Sequence, residues 1–187
     1  YFKNKIVVLL YNDEDFKKLV RMPHWVAGVY DGKVRMPIDR AGNTKWDMKT
    51  IATHEIAHAF VAALSSNAAP AWINEGLAVY QEDKVNRRDD VVFVSAIKTG
   101  TLFPLERLML QSSTTSIKDT VRVDLFYVQS FKLVEYLVER YGMFRVKELL
   151  KEFSKGANSE KAIRNVLKIS IGRLEREWKE SLGIDAG

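Results

Sequence analysis

The stretch IATHEIAHAF, residues 51–60, places two histidines four residues apart with a glutamate between them. Residues four apart on an α-helix project from one face about one turn apart, so the imidazoles of His54 and His58 could both direct a nitrogen at one cation. Glu55 is rotated about 100° from His54 and cannot easily join the same ligand set. It can, however, reach a metal-bound water and act as its general base. The spacing therefore predicts a metal site with an adjacent base.

A third ligand has to come from another segment, because a catalytic zinc takes three protein ligands and leaves a fourth position for water. The chain has three histidines and no cysteine, which excludes thiolate ligands and disulfides. His24 is remote in sequence, so we expect a carboxylate. Glu75 lies in the next predicted helix, and a short loop would bring it alongside His54 and His58. Ligation would also remove the cost of burying an unpaired carboxylate.

These segments resemble a known family. The pattern HEIAH…WINEGLAVYQE is similar to the gluzincin metallopeptidases, in which HExxH is completed by the Glu of an N-E-G helix. The segments WVAGVYDGKVRMP, TGTLFPLERL, YVQSFKLVEYLVERYG and LEREWKESL resemble, in that order, parts of peptidase MA-like domains, and the aminopeptidase-N and thermolysin families look more distant. The resemblance covers nearly the whole chain. It implies zinc held by His54, His58 and Glu75, with Glu55 activating the water.

The same resemblance suggests residues outside the ligand set. Glu82 follows Glu75 by seven residues, as in the aminopeptidase-like pattern N-E-G-x-A-x-x-x-E, and is a candidate to orient a ligand imidazole. The thermolysin arrangement, with an Asp four residues after the ligand Glu, is not met because that position is Val79. Asn74 is a second candidate beside the ligand set, and it could bond substrate or backbone.

Hydrolysis also needs a donor for the oxyanion of the tetrahedral species. In many gluzincins a Tyr or His from the helical half serves, and Tyr127 of FYVQS is the candidate here. The alternative is a core tyrosine whose hydroxyl meets a backbone partner. Tyr80, Tyr136 and Tyr141 are rivals that we interpret as packing residues.

The elements that must position these residues begin with strands. The segment KIVVLLYNDEDFKKLV predicts a buried strand and then a helix that starts after Asn12. WVAGVYDGKVRMPID predicts two short strands around an Asp31-Gly32 turn. Pro37 predicts that the second of these lies at a sheet edge. Residues 33–39, KVRMPID, are then the candidate edge strand on which an extended peptide could pair by β-augmentation.

The remaining elements are predicted to be helical. The HExxH helix begins near Asp47, the next helix opens at Pro70 or Ala71, and everything from Asp89 onward is helical apart from loops such as residues 111–119. Gly142 ends a long amphipathic helix and Ser170 caps the last one. We expect an α+β, zincin-like fold with a small N-terminal mixed sheet and a mostly helical C-terminal half. Residues 1–187 would form one catalytic domain, with the sheet and zinc-ligand helices in 1–88 and a helical subdomain in 89–187.

Composition limits the partners. The net charge is +5, but the basic residues are interleaved with acids, as in RLEREWKES, which is typical of a solvated face rather than a nucleic-acid surface. No apolar run approaches the length of a membrane span, and IVVLL, for example, is strand-sized, so we expect no membrane span. We therefore expect a peptide or protein substrate and no nucleic acid. The chain begins with Tyr1 rather than Met, so we expect a trimmed or processed product that could have further domains.

The resulting hypothesis is a zinc-dependent peptidase. It is an endopeptidase by preference, because no G-x-M-E-N strand that would grip a free amine precedes His54. The alternatives are a fortuitous HExxH match on a surface helix and a catalytically silent zinc-binding scaffold or regulatory module of the same fold. Peptidase MA-like domains often occur in bacterial envelope proteins, so the resemblance implies an extracytoplasmic or cell-envelope location.

Overall fold

Three short strands and a first helix precede a series of packed helices. The computed structural model describes residues 5–20, 26–38, 48–84, 90–111, 117 and 119–184. This order of a small mixed sheet followed by helices confirms the predicted α+β class. The elements are β1 Val8–Tyr11, α1 Asp13–Val20, β2 Val29–Tyr30, β3 Val34–Pro37, α2 Met48–Ser65, α3 Ala71–Asp83, α4 Val91–Thr99, α5 Leu105–Leu110, α6 Thr120–Ser154, α7 Ser159–Leu167 and α8 Ile171–Ser181.

The sheet has the strand order β1-β3-β2, with β3 parallel to β1 and antiparallel to β2. The strand that contains Pro37 is therefore the central one, and the prediction that it lies at an edge is wrong. The edges are β1 and β2. Residues 33–39 consequently cannot be the free edge that receives a peptide, although Asp39 itself falls outside the described residues.

The hydrogen-bond directions explain how a proline fits in a central strand. Val34 and Ile38 donate from their amides to the carbonyl groups of residues 7 and 11, at 2.9 and 2.8 Å. Amides alternate in direction along a strand, so the nitrogen of Pro37 faces the β2 side of the sheet. β2 pairs with only the first two residues of β3, and its ladder ends before Pro37. The missing amide therefore removes no hydrogen bond from the sheet.

Local sequence signals account for the ends of several helices. The Asn12 side chain accepts a hydrogen bond from the Asp15 amide at 2.8 Å, which confirms the predicted start of α1. Ser170 accepts from the Arg173 amide at 3.2 Å and caps α8 as predicted. Gly142, with φ 82° and ψ 151°, breaks α6 into two helical parts, which confirms the predicted end of the long helix. The predicted loop at 111–119 lies largely outside the described residues.

Two apolar clusters meet at α2. Val34 and Met36 of β3 pack with Ile51 on one side of α2 and form the smaller cluster. The larger cluster joins α3 to the helices from α4 to α8, and Trp72 in it donates from Nε1 to Ser159 Oγ at 3.0 Å. The helix that carries HExxH is thus held between the sheet and the helical half. No helix within the described ranges has the length and apolar character needed to cross a bilayer.

Glycine at position 76 allows α3 to lie directly on α6. A Cβ atom on residue 76 would be 2.5 Å from the carbonyl oxygen of Ser130 and 2.7 Å from Cγ2 of Val134. Optimal separations between carbon atoms are about 3.5–4.0 Å, so no larger residue fits without moving a helix. This close contact fixes the position of the neighbouring residue, Glu75, relative to α6.

Candidate metal centre

His54, His58 and Glu75 converge between α2 and α3. The two imidazole rings have centroids 4.7 Å apart and are nearly perpendicular, at 82°. Glu75 Oε2 lies 3.7 Å from His54 Nε2 and 3.6 Å from His58 Nε2. The three side chains are only 12–16% exposed, so the cluster is largely buried but retains some contact with solvent.

This triangle of atoms has the size of a metal site. Tetrahedral zinc with bonds of 2.0–2.1 Å has ligand atoms about 3.4 Å apart, close to the observed 3.6 and 3.7 Å. One ligand atom from each of the three residues lies within 4.8 Å of the others. Two imidazoles and a carboxylate are also the donor set that zinc takes in hydrolytic sites. The residues therefore fit a divalent cation without a change of backbone.

The outer nitrogen of each imidazole has a defined partner. His54 Nδ1 is 3.0 Å from Glu82 Oε2, and His58 Nδ1 is 3.0 Å from Asn74 Oδ1. An ionised carboxylate and an amide oxygen are acceptors, so each Nδ1 carries the proton and donates it. The Nε2 atoms, which face Glu75, are then the nitrogens that can offer a lone pair. This is the usual arrangement around metal-binding histidines.

Glu82 and Asn74 lie on the same helix as the carboxylate they flank. Asn74 directly precedes Glu75, and Glu82 follows two turns later with its side chain buried. The position of Glu82 agrees with its predicted contact to an imidazole. Asn74, which was also predicted as a candidate beside the ligand set, contacts His58, because the start of α3 lies beside the part of α2 that carries His58. The sequence signal for this contact is the N-E-G pattern itself.

The charges around His54 are strongly coupled. Burial alone would lower the pKa of His54, but hydrogen bonds to Glu75 and Glu82 outweigh burial and raise it to about 10. Burial lowers the pKa of His58 below its ordinary value, and the neighbouring His54 charge acts in the same direction. In the metal-free protein, His54 therefore supplies the positive charge between the carboxylates. That is the charge a bound cation would replace.

Glu55 lies next to the ligands but outside their triangle. Its side chain is buried, with 5% of the residue exposed. Burial raises the pKa of Glu55 to about 7, against the opposing effect of cationic His54. A carboxylate with a pKa near neutrality is well matched to accept a proton and return it.

The segment that leads into β2 passes close to Glu55. A Cβ atom on Gly28 would lie 2.7 Å from Glu55 Cγ and 2.8 Å from its Oε1. The sequence reasoning read this glycine only as part of a strand segment. The signal that could have singled it out is a glycine directly before a predicted strand, which often marks a close approach of backbone to another group.

Tyr127 lies on α6 and is partly buried, with its ring 6.2 Å from that of Phe126. Ser130 and Val134 on the same helix meet Gly76 of α3, and Tyr127 precedes Val134 by two turns on that side. Its role as an oxyanion donor stays a prediction.

The rival tyrosines have other contacts. The ammonium group of Lys84 lies 4.4 Å from the centre of the Tyr80 ring. Tyr141 donates to Glu177 at 3.3 Å, and its ring packs edge-on against Tyr136. These contacts agree with the interpretation of all three as packing residues. His24 lies outside the described residues.

Comparison with known proteins places this geometry in a family context. The family model of the peptidase MA superfamily matches residues 3–183. The chain is also similar to the uncharacterised protein YhcO of Bacillus subtilis (strain 168), with 25% identity over 111 residues, which is 59% of this chain and 32% of that protein. The chain thus spans about a third of the length of this curated relative. No solved structure matches the chain.

Proposed function

Because the chain belongs to the peptidase MA superfamily, we propose that it is a zinc-dependent peptide-bond hydrolase and, more narrowly, an endopeptidase. The observation that carries the proposal is the convergence of His54 Nε2, His58 Nε2 and Glu75 Oε2 beside the buried carboxylate of Glu55. A peptide or protein is the substrate. By resemblance, the location is extracytoplasmic.

His54, His58 and Glu75 would hold the metal. When bound, zinc would act as a Lewis acid that polarises the substrate carbonyl and acidifies water. Glu82 and Asn74 keep the Nδ1 protons of the two histidines in place, so that both Nε2 atoms face inward. The fit rests on nitrogen and oxygen donors, in agreement with a chain that contains no cysteine.

Glu55 serves as the general base. Its carboxylate accepts a proton from the attacking water and returns it to the leaving amine as the peptide bond breaks. Burial favours this cycle because it raises the pKa of the group to about 7, so that both protonation states are accessible at neutral pH. Tyr127 is the proposed donor to the oxyanion, and the α3-facing side of α6 on which it lies supports this role.

The edge strand that presents substrate is β2 rather than β3. Within the described residues, β2 has a neighbouring strand on one side only, and α2 packs against it. An extended peptide could add to this free edge through main-chain hydrogen bonds, with its backbone close to Glu55.

The β2–β3 hairpin supports endopeptidase activity. An exopeptidase that removes N-terminal residues needs a carboxylate to grip the free amine, and Asp31 is the one acidic residue in segment 26–38. Its carboxylate instead accepts a hydrogen bond from Arg35 Nε at 2.9 Å. The hairpin can therefore form main-chain hydrogen bonds with an extended peptide but offers no free carboxylate to bind an N-terminal amine.

The proposal is tested by measuring zinc content and peptide cleavage on the same protein samples. Metal content is measured on wild type and on Glu55→Gln, and both are incubated with a broad peptide library whose products are mapped by mass spectrometry. We expect stoichiometric zinc in both proteins and internal cuts by the wild type alone. Release of single N-terminal residues would overturn the endopeptidase assignment. A zinc-loaded wild type that cleaves nothing would favour a silent metal-binding scaffold.

A further inference from the structure

Gly28 lies so close to α2 that a Cβ atom there would overlap side chains of that helix. A Cβ atom at this position would be 2.7 Å from Glu55 Cγ, 2.8 Å from Glu55 Oε1 and 2.9 Å from Ile51 Cγ2. All three separations are well inside the roughly 3.5–4.0 Å of an optimal carbon contact. Ile51 and Glu55 are one turn apart on α2, so the glycine backbone fits into the groove between them.

The strand register explains this direction. Tyr30 of β2 lies opposite Val34 of β3, and Val34 packs on Ile51 in the cluster beneath α2. Side chains alternate between the two faces of a strand, so residue 28 shares the face of Tyr30. The missing side chain of Gly28 would therefore point at α2. What fills that space is the side chain of Glu55.

We propose that Gly28 is a positioning residue for Glu55: the space left by its absent side chain is the slot that holds the carboxylate of the base. This inference rests on the proposed role of Glu55 as the base. Ala27 packs against the cluster beneath α2 and residue 55 lies within a continuous helix, whereas the Glu55 side chain can change its rotamer. A methyl group at position 28 would therefore displace the carboxylate first.

The slot also links the base to the substrate. If a peptide pairs with the free edge of β2, residue 28, which directly precedes β2, brings the start of that strand next to Glu55. The glycine thereby allows the base to lie directly beside the strand on which substrate is carried. A side chain here would insert a layer of atoms between the two.

The first test is kinetic and compares Gly28→Ala with Gly172→Ala. Gly172 lies in α8, and a Cβ atom there would have no neighbour within 4 Å, so this control should match wild type. For Gly28→Ala we expect kcat to fall about 100-fold, because a displacement of about 1 Å is enough for such a loss. Zinc content should be unchanged and KM should change less than threefold. Loss of zinc, or an unchanged kcat, would overturn the proposal.

The second test does not depend on activity. The melting temperatures of wild type, Gly28→Ala, Glu55→Ala and the double variant form a cycle. We expect Gly28→Ala to lower Tm by about 5 °C in wild type and by less than half of that in Glu55→Ala, where Cγ and Oε1 are gone. An equal drop in both backgrounds would show that Gly28 does not act through Glu55. If no wild-type hydrolysis is found, the proposed function fails, while the cycle still decides the Gly28–Glu55 contact.

Discussion

The carboxylate of Glu82 lies 3.0 Å from Nδ1 of His54, on the side of the imidazole away from the nitrogen that faces Glu75. His54 therefore bridges two carboxylates on one helix. The Nδ1 atom of His58 has a neutral partner instead, the amide oxygen of Asn74, also at 3.0 Å. The two histidines are thus hydrogen-bonded to acceptors of different charge, and the effect of this difference on metal binding can be measured.

Removing Glu82 should weaken zinc binding more than removing Asn74. Hydrogen bonds to ionised groups are about twice as strong as neutral ones, and loss of such a partner typically costs 10–100-fold in metal affinity. We expect Glu82→Ala near the upper end of that range and Asn74→Ala near the lower end. Zinc affinity is measured by competition with a chromophoric chelator. Glu106→Ala, at an exposed position on α5, is the control and should leave the affinity unchanged.

Zinc should stabilise the fold. Glu55, Glu75 and Glu82 all act on the pKa of His54, so the site gathers carboxylates that a dication would neutralise. A ligand at 100 times its Kd adds about 2.7 kcal/mol, which corresponds to a rise in Tm of about 5–10 °C for a chain of this size. Thermal unfolding with zinc and with a chelator measures the difference. The Glu75→Ala variant should show little zinc-dependent shift, and an equal shift in both proteins would place the metal elsewhere.

Zinc binding at pH 8 should release about one proton. In the metal-free protein the pKa of His54 is about 10, so the imidazole is protonated at pH 8 and must lose a proton before it can ligate. His58 has a lowered pKa and is already neutral, and Glu75 has a lowered pKa and is already ionised. At pH values below the pKa of His54, the affinity for zinc should therefore rise about tenfold for each pH unit. Calorimetry in two buffers of different ionisation enthalpy counts the proton, and a count near zero would contradict the raised pKa.

The sequence predicts the convergence of His54, His58 and Glu75 because the information for it is local. The four-residue spacing of His54 and His58 and the N-E-G pattern around Glu75 each lie within one helix, where side-chain directions follow from the helical period. Because the loop between α2 and α3 is short, α3 must pack against α2. The same locality explains why the Asn12 and Ser170 caps and the Gly142 break were predicted correctly.

What the sequence does not predict depends on contacts between segments. A proline excludes a central position only where the strand is paired on both sides at the proline itself. β2 is too short to pair with β3 at Pro37, so that condition does not hold here. The contact of Asn74 with His58 and that of Gly28 with Glu55 depend on how one element is seated on another. The N-E-G pattern and a glycine before a strand signal a contact of this kind, but neither signal identifies the partner residue.

Gly76→Ala should destabilise the protein although it replaces a glycine within a helix. In an open helix this change adds about 1 kcal/mol of stability, because alanine has the higher helix propensity. At position 76 the new Cβ would be 2.5 Å from the Ser130 carbonyl oxygen and 2.9 Å from its carbon, and backbone atoms cannot rotate away. We expect a net loss of about 1–3 kcal/mol in the free energy of unfolding, measured in urea.

Because α3 would have to move off α6, Glu75 would shift with it, and zinc affinity should fall together with stability. Gly172→Ala, whose Cβ meets nothing within 4 Å, is the control and should not be destabilised. A Gly76→Ala variant as stable as that control would mean that α3 and α6 are not in close contact.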